Sequence, residues 1–179
     1  ELSDSAVSTA RSRVPWLLVN LVTAFCSASI IGLFDASIEK MIALAVLMPI
    51  VASMGGNAGT QTMTVTVRAL ATKDLDIYNA ARIVRREAGV GLMNGFVFAI
   101  LLGIVAAFWF GNPQLGGVIG TAMIINMMAA ALGGILVPLL LDKLNADPAI
   151  ASSVFVTMIT DCVGFFAFLG LATWWFGIQ

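Results

Sequence analysis

The chain has 179 residues, 60% of them hydrophobic and 11% charged, with a mean hydropathy of +1.00 and a formal net charge of −1. A soluble domain carries about 25% charged residues, so this composition describes an integral membrane protein and excludes a small soluble domain. There is no histidine, which removes any imidazole switch or histidine metal site, and no nucleic-acid partner is expected.

Residues 1–13 are polar and read as the end of a connecting helix or linker. The chain starts at Glu1, and no charged–apolar–small signal pattern precedes the first span, so it reads as a fragment of a longer protein or a processed chain. A five-helix membrane domain is expected over 14–179. The first span covers about 14–34, between Arg13 and Asp35, long enough at ~1.5 Å per residue to cross a hydrocarbon core of about 30 Å. Asn20, Thr23 and Ser27 give it a mildly polar face, better suited to packing on another helix than to a ligand. Asp35, Glu39 and Lys40 turn the chain into a second span, roughly 41–72.

That second span is unusual. Pro49 is followed by Gly55, Gly56, Asn57, Gly59, Thr60 and Gln61, where a plain membrane helix would read leucine. Helix breakers at membrane depth are tolerated only where protein or a water-filled cavity surrounds them, so an interrupted helix is expected here. The plainer alternative is a kinked helix whose glycines allow close packing. Residues 73–87 carry too much charge to cross and suggest a separate amphipathic helix lying at the interface. The third span is about 88–110, ending in Phe108–Trp109–Phe110. Gly111–Asn112–Pro113 makes a turn into the fourth, about 115–141, which carries Gly116-x-x-x-Gly120 and Gly133–Gly134. A polar loop from Asp142 to Pro148 leads to the fifth, about 149–176, ending at Trp174–Trp175.

With five spans, one side of the membrane receives Arg11, Arg13, Arg68, Lys73, Arg82, Arg85, Arg86 and Lys143, and the other only Lys40. The positive-inside rule then places the N-terminus in the cytoplasm and the C-terminus outside, in a multi-pass protein of the cell (inner) membrane.

Asp161 is the one acidic residue deep within a span. A carboxylate there costs about 2.5–3.5 kcal/mol on insertion scales, so it should face a water path or a cation. A neutralised or arginine-paired structural Asp is the alternative, with Arg68 as candidate partner. Ser153, Thr157 and Asp161 are spaced by four and fall within about 80° of one another on a helix, and Gly164 extends the stripe. On the second span Asn57, Gln61, Thr64 and Arg68 share a face that Ser53, Gly56 and Thr60 widen, with Met63, Val67 and Leu70 expected opposite. These ligand types are all oxygens. Such surroundings favour hard cations, and sparse negative charge suits an ion that keeps its water shell, as Mg²⁺ tends to do. Asp147–Pro148 is a standard helix start, compatible with weak cation binding at that mouth together with Asp142. Cys26 and Cys162 read as small buried hydrophobes. The sequence offers no Ser–His pair, zinc motif or phosphate loop, so no enzyme is expected.

Pro49 with Gly55–Gly56–Asn57-x-Gly59-x-Gln61, and Asp147–Pro148–Ala149 with Thr157, Asp161 and Gly164, resemble the signatures of the second and fifth membrane helices of the MgtE family of magnesium channels and transporters. The resemblance covers nearly the whole chain. It implies a homodimer with a cation path along its axis, lined mainly by the second and fifth helices. A hydrated Mg²⁺ would be held there by Asp161 and by oxygens of the 53–64 face: Ser53, Gly56, Asn57, Thr60 and Thr64. It also implies cytoplasmic N-terminal and CBS domains that sense magnesium and close the pore, outside these residues. Thr60 and Ser153 stand where some members carry asparagine; both keep an oxygen on a shorter side chain, which bears on selectivity against Mn²⁺ or Ca²⁺. The leading expectation is a passive Mg²⁺-selective channel. A secondary transporter exchanging the divalent cation for Na⁺ or H⁺, and a membrane anchor that assembles other subunits, are the alternatives.

Overall fold

The computed structural model describes residues 3, 5–76 and 78–178. Glu1, Leu2, Asp4, Ile77 and Gln179 lie outside the described residues, and with them parts of the expected 1–13, 73–87 and 14–179 segments. The described chain is all helical: α1 Ala6–Gly32, a short α2 Asp35–Lys40, α3 Ile42–Ala71, α4 Ala80–Phe110, α5 Pro113–Lys143 and α6 Pro148–Phe176. Five of these, all but α2, are long and apolar enough to cross a membrane.

The helix ends follow from local chemistry. Orphan N–H groups at a helix start need an acceptor. Asn112 Oδ1 accepts from Gln114 N at 3.1 Å and Leu115 N at 3.3 Å, and Asp147 Oδ1 accepts from Ala149 N at 3.0 Å. Each cap is followed by a proline that needs no partner. Gly111 and Gly177 close α4 and α6 with φ of +61° and +63°, a conformation that side chains disfavour.

Two expectations fail. α3 is one continuous helix through Pro49 and the glycines, without the interruption. Pro49 cannot donate to the Ala45 carbonyl, but its neighbours restore the ladder around it. The glycines do not loosen the helix because other helices fill the space beside them. Among the described residues there is also no separate interfacial helix over 73–87. The segments 72–76 and 78–79 are non-helical, with Lys73 at φ +61° and Asp76 Oδ1 accepting from Tyr78 N at 2.9 Å and Asn79 N at 3.0 Å. Ala80 to Glu87 are then the first turns of α4. At 31 residues that helix is about 46 Å long, so its charged end reaches beyond a ~30 Å core without lying flat.

α5 is the centre of the bundle, packed on α4, α6 and α3, whereas α1 packs chiefly on α6. Leu115, Ile119, Met123 and Ala130 of α5 are fully or almost fully buried. Without a hydrophobic drive between helices in lipid, close backbone approach supplies the adhesion. On α4 the row Gly91, Gly95, Ala99 and Gly103 provides it. A methyl on Gly95 would lie 3.1 Å from Ile124 Cα, and one on Gly103 would lie 2.9 Å from the Gly116 carbonyl oxygen. Gly133 and Gly134 bring α5 against Ile159 of α6 and against Gly59 and Thr62 of α3. On α1, Thr23 and Ser27 are buried, and Ser27 Oγ lies 3.6 Å from Cys162 Sγ. Cys26 is exposed, contrary to its reading as a buried hydrophobe, and both cysteines are free thiols. Ser37 of α2 donates to the Ile178 carbonyl at 2.8 Å and shares a 2.7 Å hydrogen bond with Thr173, tying α2 to the end of α6. Exposed Phe108, Trp109, Trp174 and Trp175 gather at that same end, as interfacial aromatics do.

The backbone contact makes a direct prediction. A methyl on Gly116 would collide with the Gly103 carbonyl oxygen, while one on the adjacent Gly117 meets nothing within 4 Å. Gly116→Ala should destabilise the bundle by about 1–3 kcal/mol, and Gly117→Ala should leave it unchanged or slightly firmer. Thermal unfolding in detergent micelles measures both; equal melting would mean that α4 and α5 can separate at no cost.

Candidate functional site

α3 presents two opposite faces, and the division between them defines the site. Leu44, Leu47, Val51, Gly55, Gly59 and Thr66 are buried against the bundle. Ser53, Asn57, Thr60, Gln61, Thr64 and Arg68 are exposed, and Gly56 is partly so. The oxygen-bearing face therefore points away from the subunit's own core. Along this stretch the buried back is made of Gly55, Gly59 and Thr66 and not, as expected, of Met63, Val67 and Leu70, which like Thr62 are only partly buried. Small residues were the ones that had to face neighbouring helices, because the helices approach closely there.

Those small residues also fix how α3 meets α6. A methyl on Gly59 would lie 2.7 Å from Val156 Cγ1 and 3.5 Å from Thr160 Cγ2, and one on Gly164 would lie 3.3 Å from Val51 Cγ1. The pairs Val51·Gly164 and Gly59·Val156 are separated by the same interval on both helices, running in opposite directions. The helices are thus antiparallel and in step. By the same register Asp161 stands level with Met54, between Ser53 and Gly55, Thr157 with Ala58, next to Asn57, and Ser153 with Thr62, next to Gln61. Ser153 and Thr157 are exposed and Asp161 is partly buried. The stripe does not face α3 alone. Ser153 and Thr157 also open onto a crevice of about 390 Å³ between α6 and α1, where Arg13, Trp16 and Asn20 form the other wall.

Among the described residues no hydrogen bond or ion pair holds the Asp161 carboxylate. The arginine-paired alternative fails at Arg68, which the register puts about 21 Å further along α3 from the level of Asp161. The main chain contributes less than expected. Thr60 Oγ1 donates to the Gly56 carbonyl and Thr64 Oγ1 to the Thr60 carbonyl, each at 2.8 Å. In a continuous helix those carbonyls also take the ladder N–H groups, so the Gly56 carbonyl is not a bare ligand. Among the described residues the side-chain oxygens of Ser53, Asn57 and Gln61 on α3 and of Ser153, Thr157 and Asp161 on α6 carry no hydrogen bond. Asp147 and Asp142 are exposed at the far end of α6 and α5; Asp147 acts there as the helix cap.

One residue of the site gave no warning in the sequence. Asn126, in the middle of α5, is fully buried, and its Nδ2 donates to the Val51 carbonyl at 3.0 Å. A methyl on Gly55 would collide with this amide, and one on Gly164 would lie 2.8 Å from Nδ2. The amide therefore fills the gap between α3 and α6 at the level of Asp161. A lone amide in an apolar span is the signal that could have found it, because such groups bind helices together.

Residues 48–171 match the family model described as "MgtE: Divalent cation transporter". The chain is 34% identical over 168 residues to the "Magnesium transporter MgtE" of Bacillus subtilis, covering 94% of this chain and 37% of that protein. It is 36% identical over 173 residues to the Enterococcus faecalis protein of the same name, covering 97% and 38%. The Thermus thermophilus protein of that name is 36% identical over 161 residues, covering 90% and 36%. The chain thus spans little more than a third of the length of these relatives. The matched segment runs from just before the glycine run of α3 to beyond Asp161 and Gly164 in α6, and the chain belongs to the MgtE family of divalent cation transporters.

Proposed function

We propose that two copies of this chain form a passive path for hydrated Mg²⁺, lined by the exposed faces of α3 and α6 and centred on Asp161. The observation that carries this reading is the exposure of Ser53, Asn57, Thr60 and Thr64 at membrane depth on a single subunit. Hydroxyls and amides do not face hydrocarbon without a partner, so this face needs water or another copy against it. A two-fold axis beside it answers both needs. It brings two Asp161 carboxylates to one depth, giving two negative charges for one divalent ion. The remaining donors are side-chain oxygens of hydroxyl and amide groups, which hydrogen-bond coordinated water more readily than they replace it. The metal then stays hydrated, and Ser53, Asn57, Thr60 and Thr64 act one water away from it. The names of the relatives support Mg²⁺ as the cargo.

An exchanger driven by Na⁺ or H⁺ drew its support from the same expected break in the second span. That break suited a passive channel equally, so the continuity of α3 bears on both alike, and single-channel currents without a driving ion separate them. The N-terminus is assigned to the cytoplasm by the distribution of Lys and Arg. Cytoplasmic regulatory domains, which the resemblance implies, belong to the length of the relatives that this chain does not match.

At an effective dielectric constant near 20, a carboxylate about 5 Å from a divalent cation is worth several kcal/mol. Asp161→Asn should therefore insert and assemble normally yet lower Mg²⁺ flux into liposomes at least about tenfold. Near-normal flux at equal protein density would remove Asp161 from the path. A second variant tests the lining. A methyl on Gly56 meets nothing within 4 Å, so Gly56→Leu should melt like the parent while its side chain obstructs the path. Stopped-flow uptake with a Mg²⁺-sensitive dye should show a loss of about tenfold or more. Unchanged uptake by this variant would mean that the face points elsewhere.

A further inference from the structure

We propose that Asn126 is a positioning residue for the cation site, setting the depth of Asp161 against the ligand face of α3. The inference rests on the pore reading above. The Asn126 amide of α5 reaches both ligand-bearing helices near the level of Asp161. Its Nδ2 donates to the Val51 carbonyl at 3.0 Å. That carbonyl already takes the Gly55 N–H in the helix ladder, and its second lone pair can be approached from the side only because Gly55 has no Cβ. A methyl on Gly55 would overlap Nδ2, and one on Gly164 would be 2.8 Å from it. Two glycines on two helices thus leave a slot for a single amide. Gly55 precedes Gly56 of the lining, and Gly164 follows Asp161 by one turn.

A merely space-filling residue at this position would be apolar. Asn126 is fully buried, and its Oδ1 has no hydrogen-bond partner among the described residues. Burying an unpaired amide oxygen carries a penalty that leucine or methionine would avoid. What the amide supplies in return is a directed bond to one named carbonyl. Packing alone lets α3 slide or rotate against α6 by small steps. The bond to Val51 selects one register, and with it the spacing between Asp161 and the oxygens of Ser53 and Asn57. For an ion held through its water shell, that spacing decides which hydrated cation fits.

The test uses the chain in liposomes, with Mg²⁺ and Ca²⁺ flux as readouts. Asn126→Ala removes the tie and leaves a void. The double variant Gly55→Ala/Asn126→Ala returns a methyl to the slot without the tie, because the atoms nearest that methyl are all in the Asn126 side chain. Gly134→Ala is the packing control, since its methyl would meet Thr62 and Gly59 away from Asn126. The double variant should recover most of the melting temperature lost in Asn126→Ala. Both Asn126 variants should raise the KM for Mg²⁺ and lower the Mg²⁺/Ca²⁺ flux ratio by about tenfold, a change of ~1.4 kcal/mol in discrimination. Gly134→Ala should melt lower with its flux ratio unchanged. The ratio does not depend on how much protein is folded, so poorly folding variants still report. A parental KM and flux ratio in both Asn126 variants would overturn the proposal, as would an equal change of ratio in Gly134→Ala. Asp161→Asn in the same vesicles keeps the two readings apart. If it conducts normally the pore reading falls; if it loses flux while the Asn126 variants keep their ratio, only the positioning role falls.

Discussion

Oxygen atoms at membrane depth must have partners, and in this chain the constraint falls on α3. Its glycine-rich face is buried against α5 and α6, and its hydroxyl and amide face is left on the outside of the subunit. A soluble protein would hydrate such a face at no cost. In a bilayer the face requires water, an ion or another protein surface. The remaining architecture can be understood as the support that holds this face in place. α5 is the central post, α4 clamps it through a row of small residues, and α6 carries Asp161 alongside in antiparallel register.

Close backbone approach is the means by which that register is held. Gly59 lets Val156 and Thr160 in, Gly134 lies against the Gly59 carbonyl oxygen, and Gly55 with Gly164 admits the Asn126 amide. Each contact is sensitive to a single methyl group, because backbone atoms and fully buried side chains have little room to yield. The same geometry explains why a run of glycines does not break α3. Gly55 and Gly59 are enclosed by neighbours, and the threonines on the same helix bond back to the carbonyls of the preceding turn. The proposed site is accordingly a face of a continuous helix and not an unwound loop.

Much of this could be read from the residues. Five spans, the turn at Gly111–Asn112–Pro113, the cap at Asp147 and the two oxygen stripes follow from composition, turn chemistry and helical spacing. The break in α3 was misread because glycine has the same signature in a loosened turn as in a tight helix contact, and only the neighbouring helices distinguish them. The charged start of α4 was misread for a related reason. Arg82, Arg85 and Arg86 cannot cross a membrane, but a helix longer than the bilayer need not stop where the bilayer does. Asn126 was invisible because its meaning lies in Gly55 and Gly164, on helices far from it in sequence. The alignment of Asp161 with Met54, beside Ser53, was likewise beyond a single helix pattern, since register between helices is set by packing.

The central claim is that the oxygen face of α3 lines a water-filled cation path between two copies of the chain. Cysteine accessibility tests it most directly. In a Cys26→Ser/Cys162→Ser background, single cysteines at 53, 55, 56, 57, 59, 60 and 64 would be placed in liposomes and exposed to a small charged thiol reagent. The account predicts rapid modification at 53, 56, 57, 60 and 64, slowed by millimolar Mg²⁺, and none at 55 or 59. Protection of all seven positions from the reagent, or modification that Mg²⁺ leaves untouched, would contradict it.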